Sequence, residues 1–331
     1  MTTDIGTTVT SLPDDGSHLA SPSWLIPAYL VVAITGVIGN SLVIIILVSV
    51  REMRSTATNL LILHQSVIDL TSAVLMLVVL FSEAILAADY IMPMSACRVW
   101  FSRYPVWSCF MVSTINLMAL TLERYHAILR PLHHRTVCSP GRVIKFFPFC
   151  WVAGFVLLSY LIVMSDVYYG RYCLLARFEG QGVQQVIGVL TVIFFYLIPL
   201  SVMVFTYSSI LREVKRKWRM TSPENDNQNP RAETGTQLRL EKNILKVLAL
   251  VVVVYAICWS PNQILYLYFS LGGHLDFAGH FYHWTVVMVT CNMSINPIVY
   301  ALKYHQFRDG FVKVFCRQGC RASVNVSDVS E

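Results

Sequence analysis

Seven long, nearly charge-free runs dominate the chain: 23–50, 59–82, 104–122, 146–165, 183–211, 247–275 and 277–302. Each meets the ~20 residues that an α-helix needs to cross a hydrocarbon layer. Lipid offers no partner to backbone N–H and C=O groups, so such runs must close their hydrogen bonds internally, as helices. The composition agrees: 13% of residues are charged, against roughly 25% in soluble domains. The expected fold class is an all-α membrane protein, a seven-transmembrane helix bundle.

The runs divide the chain into four parts. Residues 1–22, rich in Thr, Ser, Asp and Pro, form an outer tail expected to be disordered. Residues 23–302 form the bundle, 303–320 a short amphipathic helix on the inner leaflet, and 321–331 a cytoplasmic tail. The first 22 residues lack Lys, Arg and an apolar core, so the first helix is expected to direct insertion. Four of the 25 Lys and Arg (Arg98, Arg103, Arg171, Arg177) fall on one side of the bundle and the other 21 at or beyond the opposite boundary. Basic loops stay cytoplasmic, which places the N-terminus outside the cell, in the plasma membrane. The net charge of +6 then reads as a rim facing anionic lipid, not a nucleic-acid surface. The longest inner loop, Arg212 to Arg239, includes a flexible polar linker, "TSPENDNQNPRAETGT", whose flanks "REVKRKWR" and "RLEKNILK" read as basic cytoplasmic extensions of the fifth and sixth helices.

Cys97 and Cys173 share the oxidising side, where a disulfide persists. Cys109, Cys150, Cys258 and Cys291 lie inside apolar runs and are expected to be buried. Cys316 and Cys320 end "YHQFRDGFVKVFCRQGC", where Phe307, Phe311 and Phe315 recur at helical spacing, and both are palmitoylation candidates.

Ionisable groups inside a membrane cost several kcal/mol and mark function by default. Asp69 sits mid-run with no base beside it, and Asn40, Ser113, Asn292 and Asn296 fall at comparable depth. One carboxylate among neutral oxygens suits an allosteric sodium ion better than a divalent cation; a purely structural hydrogen-bonded network is the alternative. Pro199, Pro261 and Pro297 each remove a helix hydrogen bond and favour kinks in the last three helices.

The chain from about Trp24 to Cys320 resembles the rhodopsin-like (class A) G-protein-coupled receptors. The carrying motifs are Gly39-Asn40, Leu63 to Asp69, Glu123-Arg124-Tyr125, Trp151, Pro199 with Tyr207, Cys258-Trp259-x-Pro261 and Asn296-Pro297-x-x-Tyr300. The resemblance implies a receptor, not an enzyme, with no catalytic residues and no required cofactor. It implies that Arg124 pairs with Glu123 and, at rest, with Glu241; that the sixth helix pivots at Pro261 beneath Trp259; and that Tyr207 and Tyr300 support the freed arginine against a heterotrimeric G protein. It also matches Asp69, Ser113, Asn292 and Asn296 to a sodium pocket; Ser323, Ser327 and Ser330 are candidate phosphorylation sites for arrestin engagement. The segment from Cys97 to Arg124 spans 27 positions, two more than usual, and contains Pro105, so its upper part is expected to be distorted.

Two ligand classes are excluded on required chemistry. No Asp or Glu lies between Cys97 and Glu123 to hold an amine, and Phe277 to Leu302 contains no lysine for retinal. The outer cavity candidates are Glu83, Arg103, Trp107, Gln185, Thr191, Asn262, Gln263, Tyr266, Tyr282 and His283. Eight outer acids against four bases favour a neuropeptide-type ligand carrying positive charge. The competing reading is a transporter or channel using Asp69 as an ion site.

Overall fold

The structure is a computed structural model that describes residues 25–85, 91–168, 172–174, 178, 180–221, 231–277, 279–303 and 305–316. It contains seven helices long and apolar enough to cross a membrane: Ile26–Ser49, Ala57–Glu83, Ala96–Leu129, Pro140–Val163, Gln181–Lys217, Ala249–Ser270 and His280–Leu302. Each coincides with one of the seven runs, and they are called the first to seventh helices below. Large apolar side chains such as Val31, Ile38, Phe81, Phe149, Val156 and Phe205 point outward. Such a surface suits lipid and is costly in water. The interior instead collects Tyr29, Ile68, Met76, Leu117, Met203, Tyr255, Met293 and Tyr300, together with the polar groups taken up below.

Helix boundaries differ from the runs where charge misleads. The fifth helix continues to Thr221 and the sixth begins at Arg231, giving the latter 40 residues. Both flanks are helical as expected, because a helix already nucleated in the bundle extends at little cost; of the expected linker, 231–236 is helical instead and 222–230 lies outside the described residues. A fourth intrahelical proline, Pro148, joins the three read from the sequence.

The extra length before Arg124 is absorbed as expected. A π-helical turn occupies Ala96–Phe101, Arg103 adopts a left-handed φ of 56°, and a new helix starts at Tyr104 with Pro105 in its first turn. Proline is tolerated there because its missing N–H has no partner to lose. Pro199 similarly follows a π-helical turn, Ile193–Leu197. Strands β1 (Asp166–Tyr168) and β2 (Tyr172–Leu174) form a hairpin, pairing Val167 with Cys173. A disulfide joins Cys97 to Cys173, with Cα atoms 5.3 Å apart, and ties that hairpin to the third helix. This disulfide end and the Arg124 end are the two poles of the bundle.

The first and seventh helices meet closely where Gly39 faces Pro297. A Cβ at Gly39 would lie 3.0 Å from the proline ring, so glycine is what admits Pro297 there. Beyond the seventh helix, His305–Phe311 forms a short helix continued by a π-helical turn, Val312–Cys316. Phe307 is buried against the first helix's end, Lys313 pairs with Glu52 at 3.3 Å, and Phe311, Val312 and Phe315 are exposed. An apolar exposed edge flanked by Arg308 and Lys313 suits a helix lying on a membrane surface. The Cys316 side chain and Cys320 lie outside the described residues.

Candidate functional site

Three sets of polar side chains are held by the bundle: one at its middle and one at each pole. In the middle, Asp69 is 1% exposed. Gln65, one helical turn earlier, donates its Nε2 to both carboxylate oxygens at 3.0 and 3.1 Å. Ser113 donates to Oδ1 at 3.1 Å and Asn296 to Oδ2 at 2.7 Å. The second, third and seventh helices thus converge on one charge.

Two expected members of this cluster make no hydrogen bond to Asp69 among the described residues. Asn40 donates to the carbonyls of Gly36 and Met293 at 2.9 and 3.0 Å, tying the first helix to the seventh. Asn292 is buried, but among the described residues no hydrogen bond joins it to Asp69. Gln65, by contrast, was not anticipated, although its i, i+4 spacing from Asp69 puts both on one helix face. It changes the chemistry of the site. A cation needs lone pairs aimed at it, whereas Gln65 aims an N–H₂ group at Asp69 and at Ser113 Oγ. As arranged here, the residues do not fit a sodium ion between Asp69 and Ser113.

At the disulfide pole, Arg103 Nη2 pairs with Glu83 at 3.0 Å, with side chains 12% and 14% exposed. Its guanidinium lies over the Tyr29 ring, 5.9 Å from the centroid, and Tyr29 Oη in turn bonds to the carbonyl and ring of His283 at 3.1 and 3.2 Å. The left-handed turn at Arg103 is what aims the arginine at the second helix. Below it, Trp107 meets Phe110 edge-on at 5.7 Å, and Phe110 meets Trp259 at 6.4 Å. Among the candidates, Asn262 donates to Thr285, and Thr191 donates to the Ile187 carbonyl of its own helix while its oxygen lies within hydrogen-bond distance of Tyr160 Oη, so both tie helices together. Gln185, Tyr266 and Tyr282 are half-buried. Trp259 Nε1 and Gln263 Oε1 are buried without a hydrogen-bond partner among the described residues.

The Glu83–Arg103 pair yields a direct expectation. Arg103→Ala leaves a mostly buried carboxylate uncompensated, and breaking a buried pair from one side costs more than the pair contributes. Thermal unfolding of the purified protein should show a midpoint several degrees lower for Arg103→Ala, with most of the loss recovered in Glu83→Gln/Arg103→Gln. Equal midpoints for the single and double variants would contradict a charge-pairing role.

At the other pole Glu123 is 4% exposed. It accepts from Arg124 Nε at 2.8 Å, from Thr58 Oγ1 at 3.0 Å to each oxygen, and from His134 Nε2 at 2.8 Å. Thr58 comes from the second helix and His134 from a short helix, Pro131–Val137. Neither was anticipated; His134 reads as a loop residue until that helix folds it back on Glu123. Tyr125 and Tyr207 pack around Ile210 and Val214, while Tyr300 is buried near Phe307. Glu241 lies on the sixth helix, but its side chain is outside the described residues, as is any pairing it makes with Arg124.

The profile of the 7 transmembrane receptor (rhodopsin family) matches residues 39–300. Galanin receptor 2a of Danio rerio is 27% identical over 322 residues, covering 92% of this chain and 82% of the relative. Galanin receptor type 1 of Rattus norvegicus is 27% identical over 297 residues, covering 87% and 81%. The human substance-K receptor is 27% identical over 318 residues, covering 89% and 74%. With seven spanning helices, a disulfide at one pole and Glu123-Arg124-Tyr125 at the other, the chain belongs to the rhodopsin family of seven-transmembrane receptors.

Proposed function

We propose that this receptor binds an extracellular peptide at its disulfide pole and activates a heterotrimeric G protein at the Arg124 pole, through outward movement of the sixth helix, from a plasma membrane with the N-terminus outside. The observation that carries the reading is Arg124 held by a buried Glu123 at the pole opposite the disulfide. Between the poles runs a sixth helix containing Trp259 and Pro261. Proline removes one backbone bond there, so the inner half can swing while the outer half stays packed.

A peptide ligand is supported by the galanin and substance-K receptors among the relatives. It is also supported by the chemistry of the outer half. Trp259 Nε1 and Gln263 Oε1, four residues apart on one helix face, offer an unused donor and an unused acceptor. A peptide backbone supplies the complementary pair, a C=O and an N–H. Glu241, twenty positions before Pro261, supplies the resting partner of Arg124, and a tail cysteine carries a palmitoyl group. Arrestin engages the tail serines after phosphorylation.

The test is G-protein activation in cells against a panel of α subunits, with galanin and substance K as first probes, at matched surface levels. Glu241→Ala should raise ligand-independent activation of one α family, and Arg124→Ala should silence it. An Arg124→Ala receptor that activates as well as the parent would remove the switch from this pole.

A further inference from the structure

The amide that faces Asp69 is the end of a hydrogen-bond chain that runs in one direction. Trp151 Nε1, an indole N–H that only donates, gives to His64 Nε2 at 3.1 Å. The proton of the neutral imidazole is then on Nδ1, which faces Asn116 Oδ1 at 2.9 Å. Asn116 Nδ2 donates to the Leu61 carbonyl at 3.0 Å and to Gln65 Oε1 at 2.9 Å. Gln65 has only its nitrogen left to present to Asp69.

Both ends of this chain have a single role, a donor-only indole and an acceptor-only backbone carbonyl. Flipping the Gln65 amide would set its N–H₂ against Asn116 Nδ2 and its oxygen against the Asp69 carboxylate. Flipping Asn116 would set oxygen against the Leu61 carbonyl. The orientation therefore follows from the network and is not an arbitrary choice between two similar atoms. Phe147 stacks on His64 with ring centroids 3.9 Å apart, fixing the middle of the chain.

We infer that the Gln65 amide takes the place of a cation at Asp69, making this a sodium-insensitive receptor. Its partial positive charge sits between the carboxylate and Ser113 Oγ, the two oxygens that a sodium ion would need to share. For the ion to enter, Gln65 must leave both oxygens and break its bond from Asn116. The second, third and fourth helices are thus joined by side chains that preset the state of Asp69.

The experiment is thermal unfolding of the purified full-length receptor in sodium chloride against N-methylglucamine chloride at constant ionic strength. It reads ion binding directly and needs neither a ligand nor a G protein, so its result is separate from that of the signalling assay. The parent should show one midpoint in both salts. Gln65→Ala removes the amide, opens the space, and leaves Asn116 its bond to Leu61. It should acquire a saturable, sodium-specific rise of about 2 °C or more, absent from Gln65→Ala/Asp69→Asn. If Gln65→Ala does not fold, Gln65→Ser is used in the same comparison. A saturable sodium-specific rise in the parent, lost in Asp69→Asn, would overturn the proposal. So would a folded Gln65 variant whose midpoint stays flat.

Discussion

Asp69→Leu is expected to lower the thermal midpoint of the receptor by about 10 °C and to cut its surface level severely. Leucine fits the site in size but accepts no hydrogen bond. It would strand the Ser113 hydroxyl and the Asn296 amide and leave the Gln65 amide only Ser113 Oγ as a partner, all three groups being buried. Each buried donor left without a partner costs about 1–3 kcal/mol, and in a bundle of this size each kcal/mol corresponds to about 2–4 °C. Asp69→Asn keeps one acceptor oxygen and should lose well under half as much. Thermal unfolding of both variants checks the ordering, and Asp69→Leu matching the parent would mean that the stranded donors find other partners.

Much of the fold was legible because lipid removes alternatives: a long apolar run can only be a helix, and the polar exceptions stand out against it. Asp69, Ser113 and Asn296 were found this way, as was the Cys97–Cys173 disulfide, since both cysteines fall on one side of the bundle. Gln65, His64 and Asn116 are equally anomalous in their runs, but a neutral amide or imidazole is a weaker signal in a sequence than a charge. The signal was there in spacing: Gln65 precedes Asp69 by one turn, and Asn116 follows Ser113 on the same helix. Asn40 and Asn292 went the other way. Depth along a helix can be counted from the sequence, whereas the direction in which a side chain leaves the bundle axis depends on helix rotation. The left-handed turn at Arg103 left no mark beyond two surplus residues and Pro105, so its pairing with Glu83 could not be read.

Under the proposed function, Glu123→Gln is expected to raise ligand-independent nucleotide exchange roughly ten- to hundredfold at matched surface levels. The substitution keeps the shape of the side chain and removes its charge. Glu123 holds Arg124, whose side chain is 18% exposed, through a charge-assisted bond, and hydrogen bonds to charged groups contribute about 1.5–3 kcal/mol. Removing that much from the resting state alone shifts a two-state equilibrium by one to two orders of magnitude, since about 1.4 kcal/mol is a factor of ten. Thr58→Val and His134→Phe each remove one of the other donors that orient Glu123. They leave the Arg124 contact itself intact, and should raise exchange by smaller factors. Adding Arg124→Ala to Glu123→Gln should return exchange to background, because the freed arginine is then absent. Exchange in Glu123→Gln at the parent's level would show that the resting state is held elsewhere, with Glu241 the next residue to test. An intermediate rise in His134→Phe would separately establish that the short helix after the third, Pro131–Val137, takes part in the switch, a role that a solvent-facing loop histidine could not have.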